Sequence, residues 1–250
     1  MKLRYITCSD PREHNKISEI IKLGKLSNAE IAVQCHPSKM SDGMPRNVWF
    51  NELLRTAYNI PTLNLAIHIN QEWAYDICVN NKMPDILREW LGARNTKKEP
   101  TIKRIQLNMP STAVEQVSPE GIYKIINYYH LREFIFQYND NNKSVIQKIH
   151  ETGAKFSLLF DASGGRGIAP KACEKPIYET HPMGYSGGIS PDNVVYNLRQ
   201  INSIVPDNTP IWIDAEGRLK SNNLFDEKPK FDAELARLYV NRANEWLNQR

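Results

Sequence analysis

The sequence predicts a single α/β domain, a closed (β/α)8 barrel of the TIM type spanning residues 1–250. Two observations predict it. Eight short apolar runs follow one another along the chain, and most are near-continuous, as in parallel strands buried on both faces. Helical patterns fill most of the gaps, and that alternation at this length suits a closed barrel. A doubly wound open sheet is the rival, for which eight strands is an awkwardly large number. The runs are Leu3–Thr7, Ile31–Cys35, Leu63–Ile69, Ile102–Leu107, Phe134–Gln137, Phe156–Phe160, Met183–Ser186 and Ile211–Ile213.

The helices follow from spacing. Ile17, Ile20, Ile21 and Leu23 come after the first run. Ser190-Pro191-Asp192 opens another helix, with Ser190 as N-cap and proline in the first turn. Val194, Val195, Leu198, Ile201 and Ile204 then share one face. Phe231, Leu235, Leu238 and Trp246 form the apolar stripe of a last amphipathic helix. Ser41–Pro45, Asn95–Pro100 and Asn222–Lys230 read as longer loops, and Ala169–Pro182, with its three prolines, as a lid or ordered loop.

Composition narrows the class. The chain is 41% apolar with a net charge of +4, ordinary for a globular protein. Its charges of both signs are interleaved, so no stripe for nucleic acid stands out. Cys8, Cys35, Cys78 and Cys173 lie far apart, with no Cys-x-x-Cys pair. A chain this long needs no disulfides, and reduced thiols point to the cytoplasm. No run of 18 apolar residues suggests a membrane span, and the N-terminus lacks a signal-peptide core. Self-association as a homodimer stays open.

In such a barrel the chemistry gathers at the C-terminal strand ends. Those ends carry Cys8, Cys35-His36, His68 and Asn70, Asn108, Gln137, Asp161, Gly187-Gly188, and Asp214 with Glu216. Singly, each has an ordinary structural reading; together they make a polar, titratable constellation. "MGYSGGISPDN" is the strongest local signal. Glycine N–H groups beside a helix start make an anion site. "DAEGRLK" after the eighth run supplies a second glycine, Gly217. Phosphate commonly sits on the loops after strands seven and eight of these barrels. We therefore expect Gly187, Gly188 and Gly217 to bind a phosphorylated small molecule.

These strand ends resemble the phosphoribosylanthranilate isomerase family. Cys8 in "YITCSD" resembles its first-strand cysteine, and Asp161 in "LLFDASGGRG" its aspartate before a glycine-rich loop. "SGGISPDNV" resembles its "AGGLxPENV" loop, "IQLNMP" its "QLHG", and Arg46 in "GMPRN" its arginine after strand two. The resemblance departs from the family at Ser9, Asn108 and Arg218. It implies an Amadori rearrangement of an aminoaldose phosphate, with Asp161 as acid, Cys8 as base, and no metal or other cofactor. Arg46, Gly164, Gly165, Gly187, Gly188, Asp214 and Gly217 would then hold the substrate. Two other classes stay open. One is a sugar-phosphate lyase or epimerase using Asp214, Glu216, His36 and His68 for acid–base or metal chemistry. The other is a protein that binds a phosphorylated ligand without converting it.

Overall fold

The computed structural model describes residues 1–161, 173–222 and 228–249. Eight parallel strands close into a barrel in sequence order. They are β1 (Lys2–Ser9), β2 (Ala29–Cys35), β3 (Leu65–Ile69), β4 (Arg104–Leu107), β5 (Glu133–Tyr138), β6 (Ser157–Phe160), β7 (Met183–Tyr185) and β8 (Pro210–Ala215). β8 pairs with β1 from Lys2↔Pro210 to Cys8↔Ala215, with one register shift between Leu3 and Tyr5. Each of the eight apolar runs coincides or overlaps with one strand.

The helices are α1 (Ile17–Gly24), α2 (Pro37–Met40), α3 (Pro45–Ala57), α4 (Gln71–Cys78), α5 (Asp85–Gly92), α6 (Pro119–Tyr128), α7 (Lys143–Glu151), α8 (Val194–Ile204), and, after a short antiparallel pair β9 (Lys220–Ser221) and β10 (Lys230–Phe231), α9 (Ala233–Asn248). Three details differ from the sequence reading. Phe231 belongs to β10, and Asp232 caps α9 by accepting from the Glu234 and Leu235 N–H groups. The buried face of α9 is Ala236, Tyr239, Val240, Ala243 and Trp246, while Leu238 is exposed. Ser190 is not the N-cap of α8. The chain makes a turn first, Asn193 Oδ1 accepts from the Ser190 N–H, and the helix begins at Val194.

Side chains alternate along each strand, and the alternation sorts two cores. Ile6, Cys8, Ile31, Val33, Cys35, Ile67, Ile69, Phe134, Phe136, Ile211 and Ile213 pack outward into the layer between barrel and helices. The inner apolar cluster is small: Ile135, Leu159 and Trp212, with Tyr5 against them. The rest of the interior is polar. Arg104 sits at its centre, donating to Glu30 at 2.7 Å and Glu133 at 3.4 Å. Its guanidinium lies 4.5 Å from the Tyr5 ring centroid and 4.2 Å from that of Trp212. Thr7 donates to Glu30, and Arg4 and Ser157 to Glu133. This layer plugs the barrel and makes a floor for the cavity above it. Gly184 belongs to the same fit: a Cβ there would stand 2.1 Å from the Trp212 ring.

Candidate active site

All eight strands run parallel, so all their C-terminal ends open on one face. A cavity of about 710 Å³ lies there. Inward-facing residues just below the strand tips contribute Gln34, His68, Gln106 and Gln137, and the tips and loops add Asn70, Asn108, Asn139, Asn141 and Asn142. Among the described residues, the carboxylates Asp161, Asp214 and Glu216 and the cation Arg218 join them. Amides dominate this lining, a composition suited to a ligand rich in hydroxyl groups.

The amides form a directed chain. Gln106 donates to Asn108 at 2.9 Å, Asn108 to Asn70 at 2.5 Å, Asn70 to Gln34 at 2.5 Å, and Gln34 to Glu216 at 2.9 Å. The chain crosses β4, β3 and β2 and ends on a carboxylate beyond β8. After Gln106, each amide oxygen accepts from the amide before it, so the amide orientations reinforce one another. Gln34 Nε2 also lies 3.4 Å from His68 Nδ1. Burial drives the His68 pKa down to about 3. The ring is therefore neutral, and with Nδ1 accepting, its proton sits on Nε2.

Asp214 is the most perturbed carboxylate of the site. Burial raises its pKa to about 7, opposed by a hydrogen bond from Ser9, with Glu216 and Glu30 adding like-charge repulsion. Ser9 Oγ donates to Asp214 Oδ1 at 2.6 Å. Oδ2 has no hydrogen-bond partner among the described residues. Asp161, two strands away on the rim, accepts from Gln137 Nε2 at 3.4 Å.

On the rim beside Asp161, the chain turns at Gly187 (φ 102°) and Gly188 (φ 65°). These are left-handed values that L side chains avoid. Asn193 bridges the turn, donating to the Gly188 carbonyl at 3.0 Å while accepting from Ser190. The N–H groups of Gly187, Gly188 and Ile189 have no acceptor among the described residues, and all three residues line the cavity. Gly217 also lines it, yet a Cβ there would meet no protein atom within 4 Å.

The structure therefore brings together Asp161, Asp214, Gly187, Gly188 and Gly217. It does not bring Cys8 to them. Thr7 and Ser9 face inward, so strand alternation turns Cys8 outward, where it is fully buried in the helix-facing core. Burial, with Asp214 and Glu30 nearby, pushes its thiol well above the ordinary range, the opposite of what a thiolate base needs. Cys35 is turned outward in the same way. Arg46 opens α3 away from the cavity lining and pairs with Glu13 at 3.1 Å and Asp10 at 3.8 Å. His36 is also outside the lining, its Nδ1 2.9 Å from Ser38 Oγ. Gly164 and Gly165 lie outside the described residues. Missed in the strand-end reading were Ser9, Gln34, Gln106 and the asparagines after β5. For Ser9, Gln34 and Gln106 the available signal was alternation with apolar neighbours, as in Tyr5-Ile6-Thr7-Cys8-Ser9.

No helix among the described residues is long and apolar enough to cross a membrane. No protein-family model matches the chain, and no curated protein matches it in sequence. Solved structures similar to it include the following two. One is 3-hexulose-6-phosphate synthase from Salmonella typhimurium, 11% identical, covering 98% of this chain and 100% of that one at a TM-score of 0.47. The other is a mutant tryptophan synthase alpha-subunit from the hyperthermophile Pyrococcus furiosus, 10% identical, covering 98% of each chain at a TM-score of 0.51. The second likeness, together with the closed sheet, places this chain among the (β/α)8 barrels.

Proposed function

We propose that this barrel is an acid–base enzyme acting on a phosphorylated sugar or sugar adduct. One observation carries the reading: a buried carboxylate with a pKa near neutrality shares a cavity with a turn whose backbone N–H groups have no acceptor among the described residues. The turn suits a phosphate. Asp214 suits proton transfer at neutral pH, because catalysis is best served by a pKa near the working pH. Amides around the mouth suit hydroxyl groups, and neutral His68 offers an Nε2–H to an oxygen of the substrate.

The specific reaction we assign is aldose–ketose isomerisation of an aminoaldose phosphate, the Amadori rearrangement, with the roles shifted from the sequence reading. Asp161 protonates the ring oxygen as the C1–oxygen bond breaks and the nitrogen lone pair forms the iminium. Asp214, as carboxylate, then takes the C2 proton. The electron pair of that C–H bond neutralises the iminium as an enaminol, which tautomerises to the ketone. Phosphoribosylanthranilate is the first substrate to assay, on the strength of the sequence resemblance. The purified protein should convert it, and Asp214→Asn should slow turnover by at least about 100-fold, the scale of positioned acid–base catalysis. Inactivity of the wild type overturns this substrate. Wild-type activity that survives Asp214→Asn overturns the role of Asp214.

A further inference from the structure

We propose that the opposite, N-terminal face of the barrel carries a second site, for a small organic anion with an apolar body. A cavity of about 840 Å³ opens there between the starts of β5, β6 and β7. Ile126, Leu131 and Phe156 give it an apolar wall, and Arg132 and Lys155 give it positive charge beyond the Arg4–Glu133 ion pair. Glu133 is the one carboxylate among the described lining residues. It is already taken: it accepts from Arg4 at 2.9 Å and Ser157 at 2.6 Å, and lies 3.4 Å from Arg104.

Arg132 makes this more than a basic surface. It is 7% exposed, yet it has no carboxylate partner among the described residues. One of its terminal nitrogens donates to the Leu91 carbonyl, and its Nε is buried without any hydrogen-bond partner. Its guanidinium carbon stands 5.7 Å from the Tyr129 ring centroid. Burial, with Arg94 nearby, pulls its pKa down to about 10, so it is still charged at neutral pH. A buried unpaired cation is costly, and a carboxylate or phosphate brought against it would relieve that cost. His150 and His181 close one side, with His150 Nδ1 3.5 Å from His181 Nε2 and His150 stacked on Tyr178 at 4.1 Å. That aromatic edge suits a flat ligand body.

Benzoate is the probe, and uncharged benzamide of nearly the same shape is its control. We expect benzoate to bind the full chain and to shift the backbone amide resonances of 153–157 and 180–181. Benzamide should bind at least about tenfold more weakly, as loss of a charge-assisted pair implies. Lys155 is exposed, so Lys155→Glu should leave the fold intact and weaken benzoate by roughly threefold or more through charge reversal. Arg132→Gln should abolish the preference for benzoate over benzamide. If that variant does not fold, Lys155→Glu and the resonance map still decide. The proposal is overturned by no saturation below about 20 mM, weaker than which the free energy is about 2 kcal/mol or less. It is also overturned by equal affinity for benzamide, by shifts confined to 186–189, or by unchanged binding in Lys155→Glu.

Discussion

The two ends of the barrel interior handle polarity in opposite ways. Toward the N-terminal end, charges are matched with charges. Arg104 lies between Glu30 and Glu133 and against two aromatic rings, and none of these charged groups lines the upper cavity. At the mouth, neutral amides carry the polarity, and Asp214 has a serine hydroxyl in place of a cation. Burial therefore has different consequences. In the lower layer arginines hold Glu133 below its usual range, while burial still raises Glu30 against the pull of Arg104 and the hydrogen bond from Thr7. At the mouth Asp214 has only the Ser9 hydroxyl and a weaker pull from Arg104 against burial, and its pKa rises. Compensated charge builds the floor, and uncompensated charge is left for chemistry.

The comparison is broken most severely at Arg104. Arg104→Met should destabilise the protein by about 3–5 kcal/mol, because it strands Glu30 as a buried charge. Urea unfolding checks this, and a loss below about 1 kcal/mol would mean the layer is not charge-matched. The mouth is tested at Gly188. Gly188→Val forces a β-branched residue into left-handed backbone, at a cost of roughly 1–2 kcal/mol. It should weaken the binding of ribose 5-phosphate, measured by calorimetry, while the barrel stays folded. Unchanged affinity would remove the phosphate from this turn.

Asp214 and His68 allow a finer test by pH. Asp214 holds its proton longer folded than unfolded, so ionising it lowers stability as pH rises from about 4 to 7. His68 refuses its proton when folded, so stability rises with pH between about 3 and 6.5. In the wild type the two slopes oppose each other over most of that window. Asp214→Asn removes the falling one, so the variant's stability should climb more steeply with pH than the wild type's. Parallel pH profiles would mean that Asp214 ionises normally. The smallest effect is expected at Cys8. Cys8→Ala should leave turnover unchanged and cost about 1 kcal/mol of stability, the loss of a small buried side chain. A collapse of activity with stability intact would return Cys8 to the mechanism.

The sequence by itself determined the architecture. Eight apolar runs separated by helical patterns are a local property of the chain, and each overlaps a strand. It also placed Asp161, Asp214 and the Gly187–Gly188 turn at one end, because parallel strands put all their carboxyl ends together. Tertiary structure decided which side of each strand mattered. Cys8 and Ser9 are neighbours in sequence, and one step along a strand separates the helix-facing core from the mouth. The resemblance favoured the cysteine, and closure of β1 against β8 put the serine on Asp214. Nothing local announces that Gln106, Asn108, Asn70, Gln34 and Glu216 form one hydrogen-bonded chain, because its members come from different strands and a loop, up to 182 positions apart. Arg46 shows the same limit: the resemblance implied a substrate-binding arginine, and folding gave it Glu13 and Asp10 as partners. Burial and the identity of distant neighbours set the charge state of a side chain, and both exist only once the barrel has closed.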